Sequence, residues 1–174
     1  MRKINVVPYD EQWPVLFELE SQKIKSIVCE TYVNILHIGS TSVPKLSAKP
    51  VIDILLIVED LEKLNQLDDD FKQLGYEALG EYGIIGRRFY RKGGDMRTHH
   101  IHAFHYSNIV EIERHIAFRD YLRRHPEQSQ LYEALKSQLA ARFLYDNNAY
   151  CDGKNDFIKQ LEQQALKWMM AQKT

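Results

Sequence analysis

The residues best suited to chemistry fall in two short blocks. In "HIGSTSVPKLSAKPVIDIL" an apolar run stops at Gly39-Ser40-Thr41-Ser42, a polar loop follows, and a second apolar run, residues 51–58, carries one acid, Asp53. A glycine turn bearing three hydroxyls and several backbone N–H groups makes a small nest that suits a phosphate. It is not a P-loop, because the spacing G-x-x-x-x-G-K-[ST] is absent. A carboxylate inside an apolar strand is costly to bury unless it is paired or faces a cleft. Asp53, on the strand after the turn, is placed to hold a divalent cation against phosphates bound there.

The second block, "RTHHIHAFHYS", has His99, His100, His102 and His105 within seven residues. In a strand His100 and His102 share one face. If that strand lies beside residues 51–58, both imidazoles reach Asp53, as metal ligands or as phosphate contacts. His102 can also serve as a general base, since an unperturbed imidazole titrates near about 6.5. Around this block the charge is locally positive. Residues 87–125 hold nine Lys/Arg against four Asp/Glu, and six of the seven histidines. Such a field suits a polyphosphate ligand, with arginine offering bidentate contacts. Lys49 and Arg88 are the expected charge neutralisers beside the turn.

The whole chain is balanced: 174 residues, formal net charge -1, 44% hydrophobic and 27% charged. That balance argues against bulk nucleic-acid binding. Two cysteines, Cys29 and Cys151, make neither a disulfide framework nor a metal knuckle. Reduced thiols of this kind fit a cytoplasmic protein. The start of the chain is basic but lacks the apolar stretch of a signal peptide, and no run approaches the roughly 18 apolar residues that span a bilayer.

These blocks need elements to position them. Helical spacing of apolar residues predicts a helix over 13–28, then strands over 34–38 and 51–58, the second covered on both faces. One helix is expected over 59–74, stopped by Gly75. Shorter, glycine-broken strands should fill 76–106, starting with "YEALGEY". Three helices follow, the second opened by Pro126 and the last starting near Asn155. The fold class is therefore α+β: a mixed, mostly antiparallel sheet of about five strands with a helical C-terminal third. A single domain 1–174 is expected, with an α/β core over 1–106 and packed helices over 107–174.

The blocks "VPYDEQWPVLFELE", "HIGSTSVPKLSAKPVIDIL", "RRFYRKG", "HHIHAF", "FRDYLRRHPEQSQLYEALKSQLA" and "AYCDGKNDFI" resemble, in this order, those of the GrpB family. The resemblance runs from about Val6 to Ile158. It implies a nucleotidyltransferase-like core, in which a Gly-Ser turn binds phosphates and acids on the following strands hold Mg²⁺ against a nucleoside triphosphate. Carried over, Gly39 and Ser40 match the phosphate-binding turn and Asp53 the first metal-binding acid. Some relatives are joined to dephospho-CoA kinase, which points towards nucleotide or coenzyme A metabolism. The chain departs from the pattern at Leu55, where the second acid of acid-x-acid would stand, and His100 and His102 occupy the place of the third. Histidine ligands would favour Mn²⁺ or Zn²⁺ over Mg²⁺.

The expected function is binding of a nucleotide or phosphorylated metabolite, with transfer of a nucleotidyl group to a small acceptor. Gly39, Ser40, Thr41, Lys49, Arg88, Arg119 and Lys136 would contact phosphates or substrate. Asp53, His100 and His102 would hold the divalent cation, and Asp53 and His102 would be catalytic. Two other readings use the same residues: a non-catalytic nucleotide or phosphometabolite binder with a degenerate metal site, and a His/Asp metal-dependent phosphohydrolase.

Overall fold

The computed structural model describes residues 3–173; Met1, Arg2 and Thr174, at the ends of the expected 1–174 unit, lie outside the described residues. Helix α1, Gln12–Val28, turns Trp13, Ile24 and Val28 inward at helical spacing. Strands β1 (Tyr32–Ile38) and β2 (Ile52–Val58) pair antiparallel. Short helices α2 (Leu61–Asn65) and α3 (Asp68–Gln73) lead to β3 (Tyr76–Ala78), β4 (Arg87–Lys92) and β5 (His99–His105). Helices α4 (Ile109–Arg124), α5 (Pro126–Arg142) and α6 (Asn147–Gln172) complete the chain.

The sheet has five strands in the order β1-β2-β5-β4-β3. Only β2 and β5 run parallel; the other three pairs are antiparallel. The crossover from β2 to β5 sets the Gly-Ser/Asp block beside the histidine block, with Asp53 opposite His100.

Strand β2 is central, which explains its nearly unbroken apolar run. Ile52, Ile54, Leu56 and Val58 point into a core shared with α1 and α3, among Ile24, Val28, Phe71 and Tyr90. Leu55 and Ile57 point the other way, into a smaller cluster with Ile38, Phe104 and Ile112 of α4. Asp53 shares this second face by period-two alternation, one step beyond the apolar cluster. A third cluster ties Val43 and Leu46 of the β1–β2 loop to Leu122, Tyr132 and Leu161 of α4, α5 and α6. Truncating a fully buried residue such as Leu55 to alanine should cost about 2–5 kcal/mol.

Three element boundaries differ from the expectation. The helix expected over 59–74 is two, α2 and α3. Asp60 caps α2 by accepting from the Glu62 and Lys63 amides, and Asp68, Asp69 and Asp70 sit in the first turn of α3, where carboxylates favour a new helix start. The strand in "YEALGEY" is confined to Tyr76–Ala78, with Leu79 and Gly80 bonded to Phe89 beyond it. Helix α6 begins at Asn147, one capping bond after Asp146, rather than near Asn155. Among the described residues no helix is long and apolar enough to cross a membrane.

Candidate functional site

Gly39 makes the turn possible twice over. Its φ of 72° lies in the left-handed region, and a Cβ there would fall 2.6 Å from Asp53 Oδ2. The 3₁₀ turn Ser40–Ser42 then closes on itself, with the Ser42 and Val43 amides donating to the Gly39 and Ser40 carbonyls at 3.1 Å each. Thr41 is buried: its Oγ1 donates to the Val51 carbonyl at 3.3 Å and so accepts from His37 Nε2 at 2.9 Å. Burial pushes the His37 imidazole down to about 4, and its ring stacks on Phe17. Helix α4 holds the turn from outside. Arg123 donates through Nε and Nη2 to the Ser42 carbonyl at 3.0 and 2.8 Å, and Arg119 Nη1 donates to the His37 carbonyl at 3.1 Å.

Asp53 accepts from two of the four histidines of β5 on a single oxygen. His100 Nδ1 lies 3.4 Å and His102 Nε2 3.3 Å from Asp53 Oδ1. Burial pulls the Asp53 carboxyl up, but the hydrogen bonds from His100 and His102 prevail and hold it well below the usual carboxylate range. The tautomer of His102 is fixed by its other side. Arg87 Nη1 can only donate, and it lies 3.2 Å from His102 Nδ1, so Nδ1 accepts and Nε2 carries the proton given to Asp53. Burial pushes the His102 pKa down, against the pull of Asp53, so the ring is neutral and both nitrogens are occupied. His100 differs: Nδ1 faces Asp53, while Nε2 is buried with no hydrogen-bond partner.

The turn, Asp53 and His100 open on a cleft of about 390 Å³ between the sheet and helices α5 and α6, while His102 lines a separate pocket with Asp53, His115 and Glu162. Gly39, Ser40, Thr41, Lys49, Asp53, His100 and Lys136 line it, together with Arg97, Lys154, Tyr132 and Tyr150. Lys49, Arg97, Lys136 and Lys154 face one carboxylate, Asp53. Lys49 donates to Asn147 Oδ1 at 2.8 Å and lies 4.1 Å from the centre of the Tyr150 ring, and Lys154 lies 4.5 Å from the same ring. Lys136 is buried and donates to the Ser47 carbonyl; burial, with Lys154 nearby, lowers its pKa to about 7. Burial likewise lowers that of Lys154. Tyr132 meets the Ser40 side chain and is raised to about 12 by burial. Arg97 Nε, like His100 Nε2, is buried without a partner. An orphaned buried donor such as Arg97 Nε, or acceptor such as His100 Nε2, costs about 1–3 kcal/mol, which a polar ligand would recover.

Besides His102, two of the residues expected at the site do not line the cleft. Arg88 alternates onto the opposite face of β4, where Nε donates to Asn65 Oδ1 of α2 at 2.7 Å. Arg119 is spent on Asp120 and the His37 carbonyl, so it supports the turn instead of lining the cleft. Tyr150 and Lys154 come from the stretch before residue 155, which the sequence pattern left outside the last helix.

The donors around Asp53 do not fit a two-metal carboxylate site. Leu55 is fully buried among Ile38, Ile57, Phe104 and Ile112, so an acid at that position would sit in an apolar cluster. The N–H groups of His100 and His102 are turned to Asp53 itself. Among the described residues no group of three or more His, Cys, Asp or Glu is arranged to hold a metal ion.

Comparison with known proteins places the chain. The UPF0157 protein YqkA of Bacillus subtilis is 44% identical over 96% of this chain, which spans 48% of that relative, about half its length. The glutamate-rich protein GrpB of Alkalihalophilus pseudofirmus is 33% identical over 91% of this chain and 94% of its own. A crystal structure of the conserved protein GrpB from Enterococcus faecalis superposes with a TM-score of 0.93 at 46% identity, covering 95% of this chain and 99% of that one. The sequence model of the GrpB protein family matches residues 3–164, and the chain belongs to the GrpB family.

Proposed function

We propose that the cleft binds a phosphorylated small molecule, a nucleotide or a phosphorylated metabolite, against the Gly39-Ser40 turn. The observation that carries this reading is the charge of the lining. Among the described residues, four basic side chains, Lys49, Arg97, Lys136 and Lys154, and one acid, Asp53, line this concave site. An anion there gains charge-assisted hydrogen bonds and relieves the mutual repulsion of the lysines. A divalent cation enters this reading with the phosphates of the ligand, Asp53 being the one carboxylate that can meet it.

The test is thermal denaturation of the full chain with nucleoside triphosphates, coenzyme A precursors and inorganic tripolyphosphate, each with and without Mg²⁺, Mn²⁺ and Zn²⁺. A phosphate-bearing compound should raise the melting temperature without metal, and Lys154→Ala should abolish the rise. If no such compound stabilises the wild type, the reading is wrong.

A second reading, group transfer, is favoured by one observation. Asp53 and His100 form a dyad in which the carboxylate holds Nδ1–H and leaves Nε2 as an acceptor among the cleft residues, the arrangement of a general base. Transfer from a bound nucleotide to an acceptor hydroxyl would have His100 Nε2 take the hydroxyl proton as the oxygen attacks phosphorus and pyrophosphate leaves. Product formation by wild type, lost in both Asp53→Asn and His100→Gln while nucleotide still binds, is the expected result. Binding without any product favours the simple binder.

A further inference from the structure

Tyr82 is held in an unusual backbone conformation at the cleft. It has a positive φ of 46°, rare for a residue with a bulky side chain, and the residue stays 57% exposed while lining the cleft. The chain around it is tied down. Arg87, itself buried, donates to the Glu81 carbonyl through Nε at 3.1 Å and to the Tyr82 carbonyl through Nη2 at 2.6 Å. The Gly86 amide donates to Glu81 Oε1 at 2.9 Å, and the Phe89 amide to the Gly80 carbonyl at 2.8 Å. The tyrosine ring is stacked on Phe89 at 5.1 Å between centres and 8° between planes, and Phe89 is buried. One face of the Tyr82 ring is therefore backed, and the side chain is fixed by a strained backbone at the edge of an anion-binding cleft. Strain of this kind persists where the surroundings over-determine it, and it gathers at ligand clamps.

The position of Tyr82 in the fold completes the argument. It enters from the β3–β4 connection, at the far side of the sheet order from the β1–β2 loop that carries Lys49. Lys136 and Lys154 come from α5 and α6. Asp53 and His100, on the two central strands, lie between. The three lysines thus reach the cleft from the β1–β2 loop and the C-terminal helices, Arg97 from the β4–β5 connection, and a flat, backed aromatic ring from the β3–β4 connection. We infer that Tyr82 is a stacking platform for a planar heteroaromatic ring, so that the ligand is a nucleotide whose base lies on Tyr82 and whose phosphates reach the lysines. The buried guanidinium of Arg87 joins the platform to Asp53, because the same side chain that holds the Tyr82 carbonyl also fixes the tautomer of His102, which donates to Asp53.

This inference rests on the reading of the cleft as a phosphate site, and the experiment separates the two. Titration calorimetry of the full chain compares ATP, GTP, CTP and UTP with inorganic tripolyphosphate, in wild type, Tyr82→Ala, Tyr82→Phe and Lys154→Ala. Wild type should bind at least one nucleotide roughly tenfold or more tighter than tripolyphosphate, the worth of one base–aromatic stack. Tyr82→Ala should lose that preference and keep tripolyphosphate binding, and Tyr82→Phe should retain it. Lys154→Ala should weaken nucleotide and tripolyphosphate together. The platform is overturned if wild type binds tripolyphosphate as tightly as every nucleotide, or if Tyr82→Ala keeps the preference or weakens both probes equally. In those cases tripolyphosphate binding that Lys154→Ala removes still upholds the phosphate site. If neither probe binds wild type, both readings fall.

Discussion

At the scale of single residues, the site depends on one missing side chain and two proton positions. Gly39 leaves room for the Asp53 carboxylate, so Gly39→Ala must push Asp53 away from His100 and His102 as well as strain a left-handed backbone. We expect this variant to lose about 1–3 kcal/mol of stability by chemical denaturation and to lose any nucleotide-induced rise in melting temperature. His37 gives a pH signature. Its folded pKa is depressed to about 4 by burial, so between pH 4 and the unfolded value of about 6.5 the unfolded chain binds the extra proton. Stability therefore falls as pH drops through that window. His37→Gln, which can still donate to Thr41, should show a flatter melting-temperature profile between pH 6.5 and 4. An unchanged profile would mean that other histidines, such as the half-buried His115 with its pKa lowered to about 3 by desolvation, dominate the window.

At the scale of elements, α4 acts as a brace for the turn. Arg123 makes two charge-assisted bonds to one carbonyl, the kind worth about 1.5–3 kcal/mol to charged partners. Arg123→Gln should lower stability by about 1–3 kcal/mol and weaken nucleotide binding although Arg123 does not line the cleft; equal binding by the variant would reduce the brace to a stability role. The elements also show how far the sequence could be read. Period-two alternation and the apolar run of β2 put Asp53 and the His100/His102 pair in strands, and the β2–β5 pairing brings them together. The facing of β4 cannot be read from the sequence, because each face of RRFYRK carries one aromatic between two basic residues and neither parity is marked for the site; Arg88 faces α2. Arg119 carried the right charge but is taken by a backbone carbonyl, a partner that composition does not reveal. The start of α6 was hidden by Gly153, which costs about 1 kcal/mol within a helix. It is kept where a Cβ would fall 2.6 Å from Leu139 Cδ2, so close packing of α6 on α5 outweighs propensity and carries Tyr150 and Lys154 to the cleft.

At the scale of the whole molecule, the helical third closes one side of the cleft, and Lys136 shows what that arrangement costs. Its ammonium is buried beneath α5, bonded to the Ser47 carbonyl and 4.5 Å from the centre of the Tyr132 ring, and burial lowers its pKa to about 7. Above that value the native state gives up a proton that the unfolded chain keeps until about pH 10.4. Through this group stability rises with pH from 7 towards 10, while a neutral amine attracts phosphate less. Lys136→Met keeps the length and apolar stem but removes the charge, and replacing a buried charge by an apolar side chain is often neutral or stabilising. The variant should melt at or above the wild-type temperature at pH 7, with less gain between pH 7 and 9, yet bind tripolyphosphate several-fold more weakly. Wild-type binding should itself weaken over the same pH range, and the variant's should change less. A variant that is less stable but binds tripolyphosphate unchanged would assign Lys136 to joining α5 to the β1–β2 loop, leaving Lys49, Arg97 and Lys154 to hold the anion.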